Sequence, residues 1–253
     1  MIVCKSPAEL EKMRAANQLV AQVLEELAAM VAPGVTTADL DAAAEARVRA
    51  AGAEPAFKGY RGYPATLCAS VNEQVVHGIP NRTALASGDI VSLDMGVKLN
   101  GYYGDSAVTV PVGTVDENVR KLLRVTREAL DKGIAQVKVG GRISDIGHAI
   151  QAHVEAHGFS VVREFVGHGI GASLHEEPQI ANYGEPGRGP RLAEGMTLAI
   201  EPMVNMGKPA VKVLSDGWTA VTKDGSLSAH FEHTVAVTKN GPLVLTMRPA
   251  LVR

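Results

Sequence analysis

The stretch DIVSLDMGVKLNGYYGDSAVTV, residues 89–110, sets two aspartates in otherwise apolar, strand-like sequence. Its Asn100-Gly101 pair signals a two-residue type I′ hairpin, because both central positions of that turn need positive φ. Such a turn fixes the register: Leu99 faces Tyr102, Lys98 faces Tyr103, Val97 faces Gly104 and Gly96 faces Asp105. Side chains alternate with period two, so Asp94 shares the face of Gly96 and therefore of Asp105. The carboxylates become diagonal neighbours with Cα atoms about 7–8 Å apart, and the small Gly96 leaves room between them. Buried together they would repel unless something cationic lay between them; on an exposed face they would simply be solvated.

Three residues further along extend the set. Glu201 in MTLAIEPMV and Glu232 in SLSAHFEHTVAVT are carboxylates in strand-like runs, where burial would demand partners. His168 follows the apolar EFV and precedes Gly169. Four carboxylates and one imidazole form an oxygen-dominated ligand set suited to divalent Mn, Fe, Co or Zn, with more negative charge than one ion absorbs. His168 also lies in GHGIGASLHEEP, residues 167–178, where Gly167, Gly169 and Ala172 satisfy the dinucleotide pattern G-x-G-x-x-A. That pattern works only where a helix opens after the glycines, and Pro178 follows within seven residues of Gly171. The metal reading of the histidines is preferred.

Other titratable residues offer less. His153 and His157 are one helical turn apart and read as an exposed pair favoured by a helix C-terminus, while His148, His230 and His233 have no partner that spacing can name. A cysteine hydrolase built on Cys68 is conceivable from residue types, but no activating context accompanies it. With only Cys4 and Cys68, far apart, there is no disulfide framework or structural zinc pattern.

Four helices must position these groups. Ser6 caps the first, with Pro7 at its first position, Glu9 completing a capping box, and Leu10, Met13, Val20, Leu24, Leu27 and Val31 on one stripe before Pro33-Gly34. A second runs from about Thr37 to Gly52, a third follows a Thr114–Glu117 capping box, and a fourth runs from about Ser144 to Gly158. The second and fourth match when the sequence is slid by 106 positions, aligning Gly34 with Gly140, Asp39 with Asp145 and Gly52 with Gly158. Alanine richness alone could produce this; the alternative is a duplicated half-domain. Strands fill most of the remainder, which predicts an α+β fold, and the Gly/Pro-rich residues 182–191 read as a surface loop.

Bulk properties limit the function classes. No run approaches the roughly 20 apolar residues of a membrane-spanning helix, and MIVCKSPAELEKM lacks the form of a secretory signal, so a cytoplasmic location is expected. A net charge of −2 with no basic cluster gives no footprint for nucleic acid.

VNEQVVHGIP with His77, LDMG and GYYGDS with Asp94 and Asp105, GHGIGASLHEEP with His168 and His175, IEPM with Glu201 and FEHT with Glu232 together resemble the type I methionine aminopeptidases. The resemblance covers nearly the whole chain in order. It implies a pita-bread fold, two pseudo-symmetric halves with a dinuclear metal centre between them, in one catalytic domain spanning residues 1–253. By the same resemblance Asp94 would chelate one divalent ion, Asp105 and Glu232 would bridge both, and His168 with Glu201 would hold the other, with a water or hydroxide between them as nucleophile. Glu201 would relay its proton, His175 would stabilise the oxyanion, His77 would contact the substrate near the scissile bond, and the substrate α-amine would lie near Asp94. Phe57, Tyr60, Tyr63, Cys68, Leu174 and Trp218 would form the first-residue pocket, although some close relatives carry Cys at the position of Phe57 and Phe at that of Leu174. The glycines of GHGIGASLHEEP would then let the backbone pass close to metals and substrate.

The function this resemblance implies is removal of methionine from nascent chains at the ribosome when the second residue is small, by a monomeric enzyme. The 30 residues between Glu201 and Glu232 leave no room for the helical insert of type II relatives, and the helix start at Ser6 leaves no N-terminal extension. Two alternatives remain: a proline-directed peptidase resembling prolidase or aminopeptidase P, and a pita-bread peptide-binding protein without catalysis.

Overall fold

A computed structural model describes residues 1–247. Helix α1 spans Pro7–Met30 and begins as its capping box dictates, with Ser6 accepting from Glu9 N and Glu9 Oε2 accepting from Ser6 N at 2.7 Å. Its stripe of Met13, Ala16, Val20, Val23, Leu24 and Leu27 is buried. Helix α2, Thr37–Ala50, is capped in the same way by Thr36 and Asp39. Helices α3, Glu117–Ile134, and α4, Ile143–Ala156, pack against each other. The expected Thr114–Glu117 capping box does not form. Asp116 is the N-cap of α3 and makes no side-chain cap bond, because Thr114 belongs to the preceding loop, where its N–H donates to Ser87 Oγ at 3.2 Å.

The helices cover a nine-stranded sheet in which every pairing is antiparallel. Its order runs Glu54–Pro55, Ile90–Leu99, Tyr102–Pro111, Glu232–Thr238, Thr197–Ile200, Gly167–Gly169 and Glu176–Ile180, with Cys68–Val71 also on the second strand and Gly241–Val244 on the fourth. Helices α1 and α2 share a core with Leu67, Val91, Leu93 and Met95, while α3 and α4 share another with Leu198, Ile200, Val235 and Val237. Each helix pair thus seals one half of the sheet, by the same burial of an apolar stripe on an apolar face. Helices α2 and α4 begin and end 106 residues apart, between Gly34 and Gly52 in one case and Gly140 and Gly158 in the other, all four at positive φ.

The Asn100-Gly101 turn has φ of 53° and 82°, and all four expected pairs, from Leu99↔Tyr102 to Gly96↔Asp105, are present. Gly104 permits a close helix contact on this hairpin, since a Cβ there would lie 2.7 Å from Asn17 N and 2.8 Å from Ala16 C. That approach lets Asn17 Oδ1 accept a hydrogen bond from Asp105 N at 3.3 Å.

Candidate metal centre

Register alone gathers the five acidic and imidazole groups. Asp94 pairs with Ala107, which pairs with Glu232, so these three share a face with Asp105, two residues from Ala107. On the other side His168 pairs with Ala199, and continuing the His233↔Ile200 register by one residue sets Glu201 opposite Glu232. Two halves of the sheet therefore deliver Asp94, Asp105, His168, Glu201 and Glu232 into one cleft of about 170 Å³.

The geometry is close and underpartnered. His168 Nε2 lies 3.7 Å from Glu201 Oε1 and 3.9 Å from Asp105 Oδ2. One ligand atom from each of Asp105, His168 and Glu232 can be chosen so that all lie within 4.8 Å of one another. Buried Asp105 Oδ1 and Glu232 Oε1 have no hydrogen-bond partner among the described residues, a costly condition for carboxylates that a cation relieves. His168 Nδ1 is 2.8 Å from the Gly169 carbonyl; the carbonyl can only accept, so the proton sits on Nδ1 and Nε2 is left with its lone pair toward the carboxylates. Burial raises the Asp94 carboxyl to about 7 and Glu201 to about 8, and pushes Asp105 and Glu232 well up, the neighbouring carboxylates adding to the rise for Asp105 and Glu232. Burial lowers His168 to about 4. An orphaned, oxygen-rich set with a neutral imidazole fits divalent first-row ions.

Sequence reasoning missed the groups that hold this set in place. Ser106 Oγ donates to the Glu232 carbonyl at 2.6 Å and Thr234 Oγ1 to the Asp105 carbonyl at 2.8 Å, so each ligand's backbone is held by a hydroxyl from the neighbouring strand. Asn182, buried at one end of the loop 182–191, donates to the Glu201 carbonyl at 3.0 Å. His230, without a partner from spacing, is buried with Nε2 3.5 Å from Glu201 Oε2. For Ser106, His230 and Thr234 the only local signal was a polar residue inside a buried strand; Asn182, in the loop, offered none.

Apolar and aromatic groups close the rest of the cleft: Phe57, Tyr60, Tyr63, Cys68, Leu174 and Trp218, joined by Arg61, which sequence reasoning did not select. Cys68 pairs directly with Asp94, which is why the pocket and the acidic cluster meet. Burial, with Asp94 adding to it, pushes the Cys68 thiol well up, so it is a packing group rather than a thiolate nucleophile. Tyr63 stands edge-on to Trp218 with ring centroids 5.1 Å apart, its hydroxyl 3.0 Å from the Gly78 carbonyl. His77 and Arg61 hold φ of 60° and 49°; backbone strain of this kind concentrates at sites where geometry matters more than local stability. Burial lowers His77 to about 4, with His230 and His175 contributing, so it is neutral near pH 7.

His168 and His175 sit at the ends of a tight excursion between Gly167–Gly169 and Glu176–Ile180, with ring centroids 4.2 Å apart. No helix follows the glycines, so the dinucleotide pattern has no anion site. Tyr60 Oη is 2.9 Å from His175 Nδ1 and its ring stacks on the imidazole at 5.3 Å. The excursion is pinned by Lys5, whose Nζ lies 2.5 Å from Glu176 Oε2 with side-chain exposures of 3% and 13%. Truncating Lys5 to Ala leaves a largely buried carboxylate without its counterion, and an unfolding free energy lower by about 3–5 kcal/mol is expected in calorimetry. A loss under about 1 kcal/mol would mean the pair is as weak as a surface one.

An oxygen-rich, buried ligand set opening into a small apolar cleft is the arrangement of a metal-dependent hydrolase. The chain belongs to metallopeptidase family M24, whose model matches residues 11–239. It is 55% identical over 246 residues to methionine aminopeptidase 1 of Bacillus subtilis, covering 97% of this chain and 99% of that relative. The crystal structure of methionine aminopeptidase from Thermotoga maritima superposes with a TM-score of 0.96 at 51% identity, over 98% of this chain and 100% of that one. Prolidase from Pyrococcus furiosus, at 23% identity and a TM-score of 0.79, covers 98% of this chain and 66% of its own and shows the fold alone. The curved sheet with its covering helices is the pita-bread fold, and the enzyme depends on divalent metal ions.

Proposed function

We propose that this enzyme removes the N-terminal methionine of nascent polypeptides when the second residue is small. The observation that carries the reading is the junction of the five-ligand cluster with a pocket large enough for one side chain, across the Cys68–Asp94 pair. Strong similarity to methionine aminopeptidases over nearly the whole chain supports it, whereas the likeness to prolidases extends to fold alone.

In this reading Asp94, Asp105, His168, Glu201 and Glu232 hold two divalent ions. When bound, these would supply Lewis acidity and a water acidic enough to react near neutral pH. Phe57, Tyr60, Tyr63, Cys68, Leu174 and Trp218 take the methionine side chain, whose flexible thioether suits aromatic faces and a soft sulfur. Glu201, at the edge of the cluster, takes a proton from water and returns it to the leaving amine. His175 turns Nε2 toward the cleft because Nδ1 faces Tyr60, and donates from Nε2 to the developing oxyanion. His77, neutral and packed edge-on against Phe165 and Trp218, contacts the substrate beside the scissile bond. Asp94, paired with Cys68 of the pocket, would lie near the substrate's free α-amine, which would restrict cleavage to the first peptide bond.

Two measurements test this. Peptides of the form Met-X-Ser should release methionine when X is small, after chelation and re-addition of Mn, Fe, Co or Zn; preference for Ala-Pro, or full activity without metal, would overturn the reading. Removing the Tyr60 hydroxyl by Tyr60→Phe should lower kcat about three- to tenfold, the worth of one neutral hydrogen bond. An unchanged kcat would show that Tyr60 only fills space. The same reading makes residues 1–253 one catalytic unit of two duplicated halves, acting as a monomer on chains leaving the ribosome. Freshly made substrates argue for the cytoplasm, and no helix among the described residues is long and apolar enough to cross a membrane.

A further inference from the structure

The outer faces of α3 and α4 bring together three ligating side chains that take no part in the cleft. We infer that Glu128, His153 and His157 form a second, surface metal site for a divalent ion of the zinc, copper or nickel type. His153 lies in the last turn of α4 and His157 caps it, so the two imidazoles share one helix face, with ring centroids 4.5 Å apart. Glu128 reaches across from α3 to place Oε2 3.1 Å from His153 Nε2. Ligand atoms of all three lie within 4.8 Å of one another. Around a tetrahedral ion with bonds of about 2 Å they would be about 3.3 Å apart, a closure within reach of small side-chain rotations.

Two of the ligands are already oriented, and the third, His153, faces Glu128 through Nε2, whose proton the ion would displace. His157 Nδ1 is 2.8 Å from the His153 carbonyl, which can only accept, so Nδ1 carries the proton and Nε2 the lone pair. Glu128 has its other oxygen, Oε1, 3.3 Å from Arg124 Nη1, which turns Oε2 toward the imidazoles. The pair lies at the helix C-terminus as spacing suggests, but it is not the exposed pair expected there. Both rings are half-buried, His153 faces Glu128 on the other helix, and Lys121 Nζ already donates to the His157 carbonyl at 3.0 Å, meeting the negative end of the helix. One ion shared by both rings and the carboxylate satisfies all three groups. Two imidazoles select such an ion over magnesium or calcium, and three protein ligands leave one position for water. The ion would clip α3 to α4 over the core of the second half.

The test counts zinc. Wild type, His157→Gln and the double variant His153→Gln/His157→Gln are saturated with zinc, freed of loosely held ions and assayed for zinc per chain. The double variant is expected to hold one ion fewer while keeping wild-type methionine release. The single variants His157→Gln and Glu128→Gln should weaken this ion's binding at least tenfold, and the Nε2 nitrogen resonances of His153 and His157 should move on zinc addition to wild type. Equal zinc content in wild type and double variant, or unmoved resonances, would overturn the site. Should the double variant not fold, unchanged affinity in His157→Gln decides against it.

Discussion

Glu232→Gln and Asp105→Asn are each expected to lower methionine release by about three orders of magnitude or more. Both carboxylates lie within the cluster proposed to hold the ions, and removing one strips charge from it. Lewis-acid stabilisation is worth several kcal/mol, and about 4 kcal/mol corresponds to a thousandfold in rate. The same substitutions should act with opposite sign on the metal-free protein. Asp105 and Glu232 are both buried, each among carboxylates that raise its own, so a neutral amide of the same shape removes repulsion that nothing else in the cluster relieves. In the presence of chelator the variants should melt above the parent. Kinetics and calorimetry on one preparation therefore separate loss of chemistry from loss of fold. Retained activity in either variant would remove that residue from the metal set.

A second large effect concerns pH. Asp94 and Glu201, at about 7 and about 8 in the metal-free chain, stand above their ordinary values of 3.8 and 4.5 because they are buried. A carboxyl raised on folding contributes stability that is fully present below its unfolded value and lost as pH rises through the folded one. His77 and His168, lowered from 6.5 to about 4 by burial, act in the reverse sense: their contribution is present above 6.5 and lost as pH falls toward 4. The two effects oppose each other between pH 4 and 6.5, and only the carboxyls titrate between about 6.5 and 8. In chelator the melting temperature should therefore fall as pH rises across that upper window. Bound ions keep the carboxylates charged and should flatten the dependence, and metal uptake at pH 7 should release protons, measurable as a buffer-dependent heat. A metal-free melting temperature that rises from pH 6.5 to 8 would contradict the burial of these groups.

How much of this is legible in the sequence depends on the range of the interaction. The Asn100-Gly101 turn demands a backbone few residues tolerate, so a dipeptide sets the register of twenty residues and the diagonal placement of Asp94 and Asp105. Helix α1 is equally readable, because a capping box and an apolar stripe are local signals. Lys5–Glu176, 171 residues apart, leaves no trace in either neighbourhood, and neither does Asn182 beneath Glu201. His153 and His157 show the limit most clearly. Their spacing is plain, but the carboxylate that changes their meaning lies 25 residues away on another helix. The Thr114 motif fails for the opposite reason: a local pattern is complete, yet a loop contact with Ser87 claims the residue.

The seam between the two halves has a temporal consequence. The strands Tyr102–Pro111 and Glu232–Thr238 meet through the pairs Glu232↔Ala107 and His233↔Ser106, reinforced by the Ser106 and Thr234 hydroxyls. A chain folded only through its first hairpin holds Asp94 and Asp105 without His168, Glu201 or Glu232. The five-residue set is therefore complete only once the strand carrying Glu232, the last of them along the chain, is in place.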